Sequence, residues 1–514
     1  MRKSLYITAA CALMLTASCS SDYLNLTPES SASTETIFGS TDNIKLAING
    51  IARSMTHQYL SSQGFNGEGT IRTWYGNYTG NDYMKSNMTG WAPIMNGTYM
   101  QNASSTYTYY PWYYYYKLIG NANTVICQTD AATGTEADKA YCKAQALTYR
   151  AYSYSRLVEL YSKRWKDSNN GASRGVMLRL DESKDELAPS TLAECYTQIY
   201  KDLDDAIKYY QESGKKRGSS EIYLPDCSVA YAVYAKAAID REDWATAAKY
   251  AALAREGYTL MSTTEYVDGG FNTANSEWIW AVCSSEEETL YYYQYFAYEG
   301  SNSSAGACRN YPAAISKELF DKIPDTDIRK GMFLDPGTDK YTASNNAAGT
   351  ELSARAKKEY GSKLYSTTKI FAYMQFKQQA KTQPGVGDFA IFRASEMYLI
   401  EAEADCHLNK YTEASNLLNE LNRKRDAQYT CTKTGDDLLE EVRLYYRIEM
   451  WGEGRDWFNY KRWGLPIVRH TSAEGGNFHS AFAGTINPED HNGWTWSIPN
   501  KEVDYNSAIE NPEE

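Results

Sequence analysis

The clearest pattern in the chain is an apolar stripe that first appears behind Thr41-Asp42, where Ile44, Ala47, Ile48 and Ile51 recur three and four residues apart. That spacing places them on one face of a helix. Trp112, Tyr116, Ile119, Asn123 and Ile126 do the same over 112–128, and Ala144, Leu147, Ala151, Tyr154, Leu157, Val158 and Tyr161 mark the inward stripe of a longer helix over about 137–163. A further helix is predicted over 191–211, with Ile199, Leu203, Ala206 and Ile207 inward. Between them, Val176 to Leu180 reads as a short extended piece.

Two later segments can be laid over one another. Trp244, Ala247, Tyr250, Ala251 and Ala254 follow a helix over 229–239, and Tyr411, Ala414, Leu417, Leu418 and Leu421 follow a helix over 396–408. The offsets are identical. An aromatic at the helix start, a small residue three later and apolar residues at six, seven and ten describe the second helix of a helical hairpin, whose alanine lets the neighbouring helix approach. Paired helices of this kind stack because neither pair buries its face alone, which is the logic of a tetratricopeptide repeat. The fold class predicted is therefore mostly all-α, a tetratricopeptide-like helical-hairpin repeat scaffold with long irregular insertions that carry a few short strands.

Residues 62–105 are rich in Gly, Asn, Tyr and Trp and have no sustained period, so they are read as a long ordered loop with a function. Residues 258–388 are also irregular, with strands predicted at Ser276–Cys283 and Leu290–Tyr298 from their aromatic and β-branched content. Helix returns over 436–463, and the tail from Arg469 is irregular.

The first forty residues follow a different logic. Arg2 and Lys3 precede an apolar run from Leu5 to Leu15, about eleven residues and too short to span a bilayer as a permanent helix. Thr16, Ala17 and Ser18 are small enough for a peptidase site, and Cys19 is the thiol that bacterial export machinery would acylate. The leucine usual three residues before such a cysteine is displaced to Leu15. Lipidation at Cys19 is the reading adopted, an ordinary secretory peptide being the alternative. The divisions that follow are a signal peptide over 1–18, a lipid-anchored spacer over 19–40, an N-terminal region over 41–260 holding the aromatic insertion, and a C-terminal region over 261–514 with the last hairpin near 390–426.

Charge removes one class of function. The 514 residues carry a net charge of −12, more negative still once Arg2 and Lys3 leave, which argues against binding a phosphate backbone. The eight cysteines past Cys19 are dispersed, with no CxxC pair, and the five histidines show no HExxH spacing, so neither a disulfide scaffold nor a metal site is predicted. Gly171-Ala172-Ser173-Arg174-Gly175 matches a GxSxG pattern, but that motif needs a strand before the serine and a helix after it, and here a polar loop precedes and an extended piece follows. Glu401 and Glu403, two apart on one helix, point to different sides and are no glycosidase pair. No catalytic residue and no cofactor is assigned. The anomalous count is tyrosine, at 46. It suits either partly wet aromatic surfaces that hold sugars or a core filled with tyrosine.

Several motifs in order resemble the SusD/RagB outer-membrane lipoproteins of Bacteroidetes. They are CSSDYLNLTP from Cys19, FRASEMYLIEAEA over Phe392 to Ala404, EASNLLNELNRKRDA over Glu413 to Ala427, YYRIEMWGEGRDWFNYKRWG over Tyr445 to Gly464, IPNKEVDYN over Ile498 to Asn506, and Asn511. Tyr445 and Tyr446 replace the glutamate and arginine usual before Arg447. The resemblance implies a non-catalytic glycan-capturing lipoprotein at the outer face of the outer membrane, built from four helical-hairpin repeats with a ligand surface of long insertions. Its implied partners are an oligosaccharide or polysaccharide ligand and a SusC-like TonB-dependent transporter barrel; a surface glycosidase or a peptide-capturing relative is the alternative. Glu449, Arg455 and Arg462 are expected to hold their helix against the scaffold.

Within that frame the candidate glycan contacts fall in the two aromatic insertions. The first supplies Trp74, Tyr75, Tyr78, Asn81, Asp82 and Trp91, and the second supplies Tyr293, Tyr295, Arg309 and Asn310. A ring takes the C–H face of a sugar, and a flanking planar polar group takes adjacent hydroxyls. The Tyr107 to Tyr116 cluster is read as core or partner-facing surface.

Overall fold

A computed structural model describes residues 38–62, 64–87, 90–286 and 294–510. The signal segment with Cys19, nearly all of the spacer, Tyr293 and Asn511 lie outside the described residues.

Ten helices carry the architecture described here. They are α1 (Thr41–Ser54), α2 (Thr106–Gln128), α3 (Glu136–Tyr161), α4 (Leu192–Ser213), α5 (Cys227–Asp240), α6 (Trp244–Arg255), α7 (Ala394–His407), α8 (Tyr411–Asn422), α9 (Gly435–Glu449) and α10 (Asp456–Trp463). From α2 to α8 each helix packs on the next, and α9 packs on α7. The two hairpins seen as a repeat are α5–α6 and α7–α8. Each turns through one residue in the left-handed region, Glu242 and Asn409. The stacking predicted between them is direct: the Trp244 indole lies on the His407 ring at 3.8 Å between centroids, and Arg255 Nε donates to Glu401 at 2.8 Å.

Helix starts follow the side chains available. Thr191 and Glu194 form a reciprocal cap on α4, and Ser40, Thr135, Asp226 and Asp243 accept first-turn N–H groups of α1, α3, α5 and α6. Helix α2 begins six residues before the predicted start and contains Pro111, which has no N–H to give to Tyr107. Two tyrosines repair that turn. Tyr75 Oη donates to the Tyr107 carbonyl at 2.5 Å, and Tyr161 Oη accepts from Trp112 N at 3.1 Å while donating to the Thr108 carbonyl at 2.6 Å.

The strands come in three antiparallel pairs: β1 (Tyr83–Lys85) with β3 (Ala313–Ile315), β2 (Trp278–Val282) with β4 (Phe389–Arg393), and β5 (Ile467–Arg469) with β6 (Gly484–Ile486). The strand predicted at 276–283 is β2. The strand predicted at 290–298 is not found in its described part, since Phe296–Glu299 is a turn of helix.

Two further readings are corrected. The first insertion is not a loop: Gly67–Thr70 runs into a π-helical stretch, Ile71–Tyr78, and every residue from 64 to 86 is buried. A segment enclosed on all sides has no polar face, and a π-helix lacks the α period, so periodicity could not reveal it. The helix predicted over 436–463 is two, α9 and α10, separated by a turn in which Gly452 and Gly454 take positive φ. A Cβ on Gly454 would lie 2.7 Å from Arg72 Cγ.

That turn closes over a buried ionic hub. Arg393 bonds Glu277 at 2.5 Å, Glu449 at 2.7 Å and Glu453 at 2.7 Å; Arg329 bonds Glu449 at 2.9 Å; Lys377 bonds Glu453 at 2.7 Å. Burial opposes ionisation of Glu449, but the guanidiniums of Arg425, Arg393 and Arg329 outweigh it and hold its carboxyl well below the usual range. Arg455 pairs with Glu396 at 2.6 Å and Arg462 with Glu403 at 2.5 Å, so α10 is clamped to α7 by charge-assisted bonds. Glu401 and Glu403 do point to different sides, one to Arg255 and one to Arg462.

Candidate functional site

The two insertions, separate in sequence, form one unit. Strand β1 of the first pairs with β3 just after the second, setting Tyr83 opposite Ile315 and Lys85 opposite Ala313, and Ser86 N continues the ladder to the Pro312 carbonyl at 3.0 Å. Lys85 Nζ donates to the Tyr298 carbonyl at 2.7 Å, and the Tyr83 hydroxyl bonds the buried Glu299 carboxyl. Burial comes first in raising the Glu299 carboxyl above its ordinary value.

Most of the candidate contacts are spent in that junction. Trp74 is 2% exposed, with its indole edge-on to Phe65 at 5.2 Å, Tyr107 at 5.4 Å and Tyr298 at 6.2 Å. Tyr75 is fixed by its bond to the Tyr107 carbonyl and by Trp496 at 5.1 Å. Tyr78 stacks on Tyr83 at 5.5 Å beneath the surface. Asp82 accepts from Arg447 Nε at 2.6 Å and Nη2 at 2.7 Å, from Ser316 at 3.0 Å and from Asn81 at 3.1 Å. Asn81 in turn accepts from Val468 N at 2.7 Å. Tyr295 takes a bond from Arg72 at 2.9 Å and gives one to the Gly452 carbonyl at 3.0 Å. A buried ring has no free face for a pyranose, and a carboxylate whose lone pairs are filled has none for a hydroxyl. Trp74, Tyr75, Tyr78, Asn81, Asp82 and Tyr295 are therefore corrected from contact to framework.

Trp91, Arg309 and Asn310 remain at the surface of the junction. The Trp91 indole is half-buried, backed by Tyr78 at 6.0 Å and Tyr298 at 5.7 Å. Such backing fixes the ring plane while one edge faces solvent. Arg309 and Asn310 end a short helical turn, Gly306–Asn310, and Tyr311 follows, all three half-buried. Arg309 Nη1 donates to Thr367 Oγ1 at 3.0 Å, and its guanidinium lies 5.9 Å from the Tyr365 ring centre. Tyr298, Tyr311, Tyr365 and Thr367 were not anticipated. Tyr298 stood in the aromatic run 290–298 and was findable, but 361–369 carries no pattern that separates it from any other polar loop.

The tyrosine count finds its explanation away from this surface. Tyr114, Tyr115 and Tyr152 hydroxyls converge on the buried Glu68 carboxyl at 3.3, 3.1 and 2.6 Å, and burial is the first cause of its raised pKa. Tyr110, Tyr116 and Tyr154 donate to the carbonyls of Gly67, Met177 and Arg179. Each fills core volume with its ring and satisfies irregular backbone with its hydroxyl. Ser173 lies on a turn that leads into extended chain, with its N–H given to the Ser168 carbonyl at 3.0 Å, and is no strand-to-helix elbow. Among the described residues no cluster of His, Cys, Asp and Glu could hold a metal, the eight cysteines are free thiols, and no helix is long and apolar enough to cross a membrane.

Comparison with known proteins bears on the whole chain. A model described as the SusD family matches residues 252–512, and one described as starch-binding, associating with the outer membrane, matches residues 22–238. A SusD-like carbohydrate-binding protein from Bacteroides vulgatus is similar in structure at a TM-score of 0.75 and 23% identity, covering 92% of this chain and 98% of that one. A SusD superfamily protein from Bacteroides thetaiotaomicron gives 0.73 at 20% identity, covering 92% and 100%. Surface glycan-binding protein A from Bacteroides thetaiotaomicron gives 0.67 at 18%, covering 92% and 98%. No curated protein sequence matches the chain.

Proposed function

The chain belongs to the SusD family, and from that membership we propose that it is a non-catalytic glycan-binding lipoprotein, anchored through Cys19 to the outer membrane and facing the exterior. It captures oligosaccharide and passes it to a SusC-like TonB-dependent transporter. The observation that carries the reading is the junction of the two insertions, which leaves a backed, half-buried indole at Trp91 on the first and the half-buried polar side chains of Arg309, Asn310 and Tyr311 on the second. A rigid ring with planar polar neighbours suits a sugar's C–H face and its hydroxyls. Tyr293, which lies outside the described residues, stays a candidate contact in the same insertion.

Non-catalytic capture is supported by where the carboxylates go. In the hub and the clamps, Glu277, Glu396, Glu403, Glu449 and Glu453 are each held by cations, and a carboxylate so held is a poor proton donor or nucleophile at neutral pH. Incubating the purified chain with oligosaccharide tests the reading: retained, intact oligosaccharide supports it, and released reducing ends overturn it. Cys19→Ala should preserve binding in solution and abolish uptake by cells. Normal uptake by that variant would remove the tether from the mechanism.

A further inference from the structure

In the SusD-family reading the chemical class of the glycan is open, and the charges at the end of the second insertion bear on it. Arginine in this molecule is mostly spent on carboxylates: Arg150 on Asp202, Arg255 on Glu401, Arg393 and Arg425 on Glu449, Arg447 on Asp82 and Arg462 on Glu403. Arg309 is not. Its guanidinium has five N–H donors, and one hydrogen bond is made, to the neutral Thr367 hydroxyl. Lys369 N donates to the Arg309 carbonyl at 2.9 Å, which brings a second, exposed cation to the same turn. Neither side chain has a carboxylate within 4.0 Å among the described residues.

The other charges on the flanking segments are accounted for. The stretch 301–310 is held between 363–369 and 380–383, by Ser301 Oγ to the Lys363 carbonyl at 2.8 Å and by Asn302 with Ala380 at 2.9 and 2.7 Å. On those segments Lys363 pairs with Asp268 at 3.4 Å, and Lys381 faces Asp388, whose carboxylate accepts from Ser284 N at 3.2 Å. Glu286 is exposed on the neighbouring stretch and forms no ion pair among the described residues. In a chain of net charge −12, an Arg-Lys couple with no carboxylate within 4.0 Å among the described residues stands out.

We propose that the ligand is an anionic glycan, and that Arg309, seconded by Lys369, receives its carboxylate or sulfate group. A guanidinium presents a planar fork that takes two oxygens of either group together, whereas a single hydroxyl uses only part of it. The Tyr365 ring under the guanidinium and the Thr367 bond hold that fork in place without neutralising it. This proposal rests on the glycan-binding reading and adds the charge of the sugar.

The test is affinity electrophoresis of the purified chain in gels containing polygalacturonate, a sulfated galactan or the same galactan desulfated. The expected result is retention by at least one anionic polymer, weakened by raising salt from about 0.02 M to about 0.3 M. Arg309→Gln should lose about tenfold or more in affinity, Lys369→Gln less, and Arg309→Lys should keep part, with the thermal midpoint of each unchanged. The two anionic arms separate carboxylate from sulfate recognition. Retention by the desulfated galactan alone, equal in parent and Arg309→Gln, would overturn the anionic class and leave the glycan reading standing. Anionic retention untouched by both Gln substitutions would overturn the placement. Retention by no polysaccharide, these or a wider panel, would overturn both readings.

Discussion

The Arg447 guanidinium grips both carboxylate oxygens of Asp82, at 2.6 and 2.7 Å, across a sequence separation of 365 residues. The pair joins α9 to the first insertion, where the Asp82 carbonyl also accepts from Trp451 Nε1 at 2.9 Å. Arg447→Ala would leave a buried carboxylate without its bidentate partner, with only the more distant Arg469 charge beside it, which costs about 3–5 kcal/mol. A urea titration should show that loss. A change below about 1 kcal/mol would mean that the pair is dispensable.

Trp74 and Trp91 should part company on substitution. Trp91→Ala is expected to weaken glycan retention about tenfold, equivalent to about 1.4 kcal/mol, with a modest loss of stability. Trp74→Ala is expected to cost about 3–5 kcal/mol of stability by opening a cavity among Phe65, Tyr107 and Tyr298, and to spare affinity in whatever fraction stays folded. Thermal unfolding beside affinity electrophoresis reads both. The opposite assignment would place the site beneath the junction.

Acid should weaken the hub. Burial opposes ionisation of Glu453, but Arg393 and Lys377 bring its carboxyl down from 4.5 to about 2. In that window the unfolded chain binds more protons than the folded one, so stability falls as pH drops through it. Asp456 has the opposite sign. Burial, with Asp82 beside it, raises its carboxyl from 3.8 to about 8, so the folded chain holds the extra proton and stability falls as pH rises through that range. Asp456→Asn keeps the shape without the charge and should flatten the decline between pH 3.8 and about 8. An unchanged stability-pH profile would contradict both assignments.

The repaired turn at Pro111 makes Tyr161→Phe informative. Removing that hydroxyl takes away the bridge between Trp112 N and the Thr108 carbonyl, which then must close the turn directly or go unpaired, at a cost of about 1–3 kcal/mol if they do not close. Calorimetry should show a lower midpoint with helix content by circular dichroism unchanged. An unshifted midpoint would mean that α2 closes without help.

How much of this was legible in the sequence depended on which faces were wet. Helices α4, α6 and α8 show themselves because each keeps a wet side, α3 shows itself by its long apolar stripe although it is enclosed from Ala144 onward, and the equal offsets from Trp244 and Tyr411 gave away the hairpin stacking that the Trp244–His407 contact realises. The π-helical stretch through Trp74 and Tyr78 keeps no polar side, so its aromatic residues looked like an exposed loop. Asp82 and Tyr295 misled for the same reason: the chemistry that recognises a sugar also builds a satisfied interior, and only Arg447 and Arg72, hundreds of residues away in sequence, distinguish the two. Arg309 and Asn310 could be named from composition, whereas their neighbours Tyr365 and Thr367 could not, since nothing local predicts which loop folds back beside them.

The hub around Glu449 also governs when this molecule can become itself. Its members Glu277, Arg329, Arg393, Arg425, Glu449 and Glu453 are spread over the second half of the chain. The first repeat hairpin, 227–255, precedes every one of them, whereas the second, 394–422, is bracketed by Arg393 and Arg425. Of the carboxylates that make their burial tolerable, Arg393 takes Glu277, Glu449 and Glu453, and Arg425 takes Glu277 and Glu449. Six buried side chains far apart in sequence thus have to come together at one point, and the hub can be complete only once Glu453, the last of them in the chain, is present.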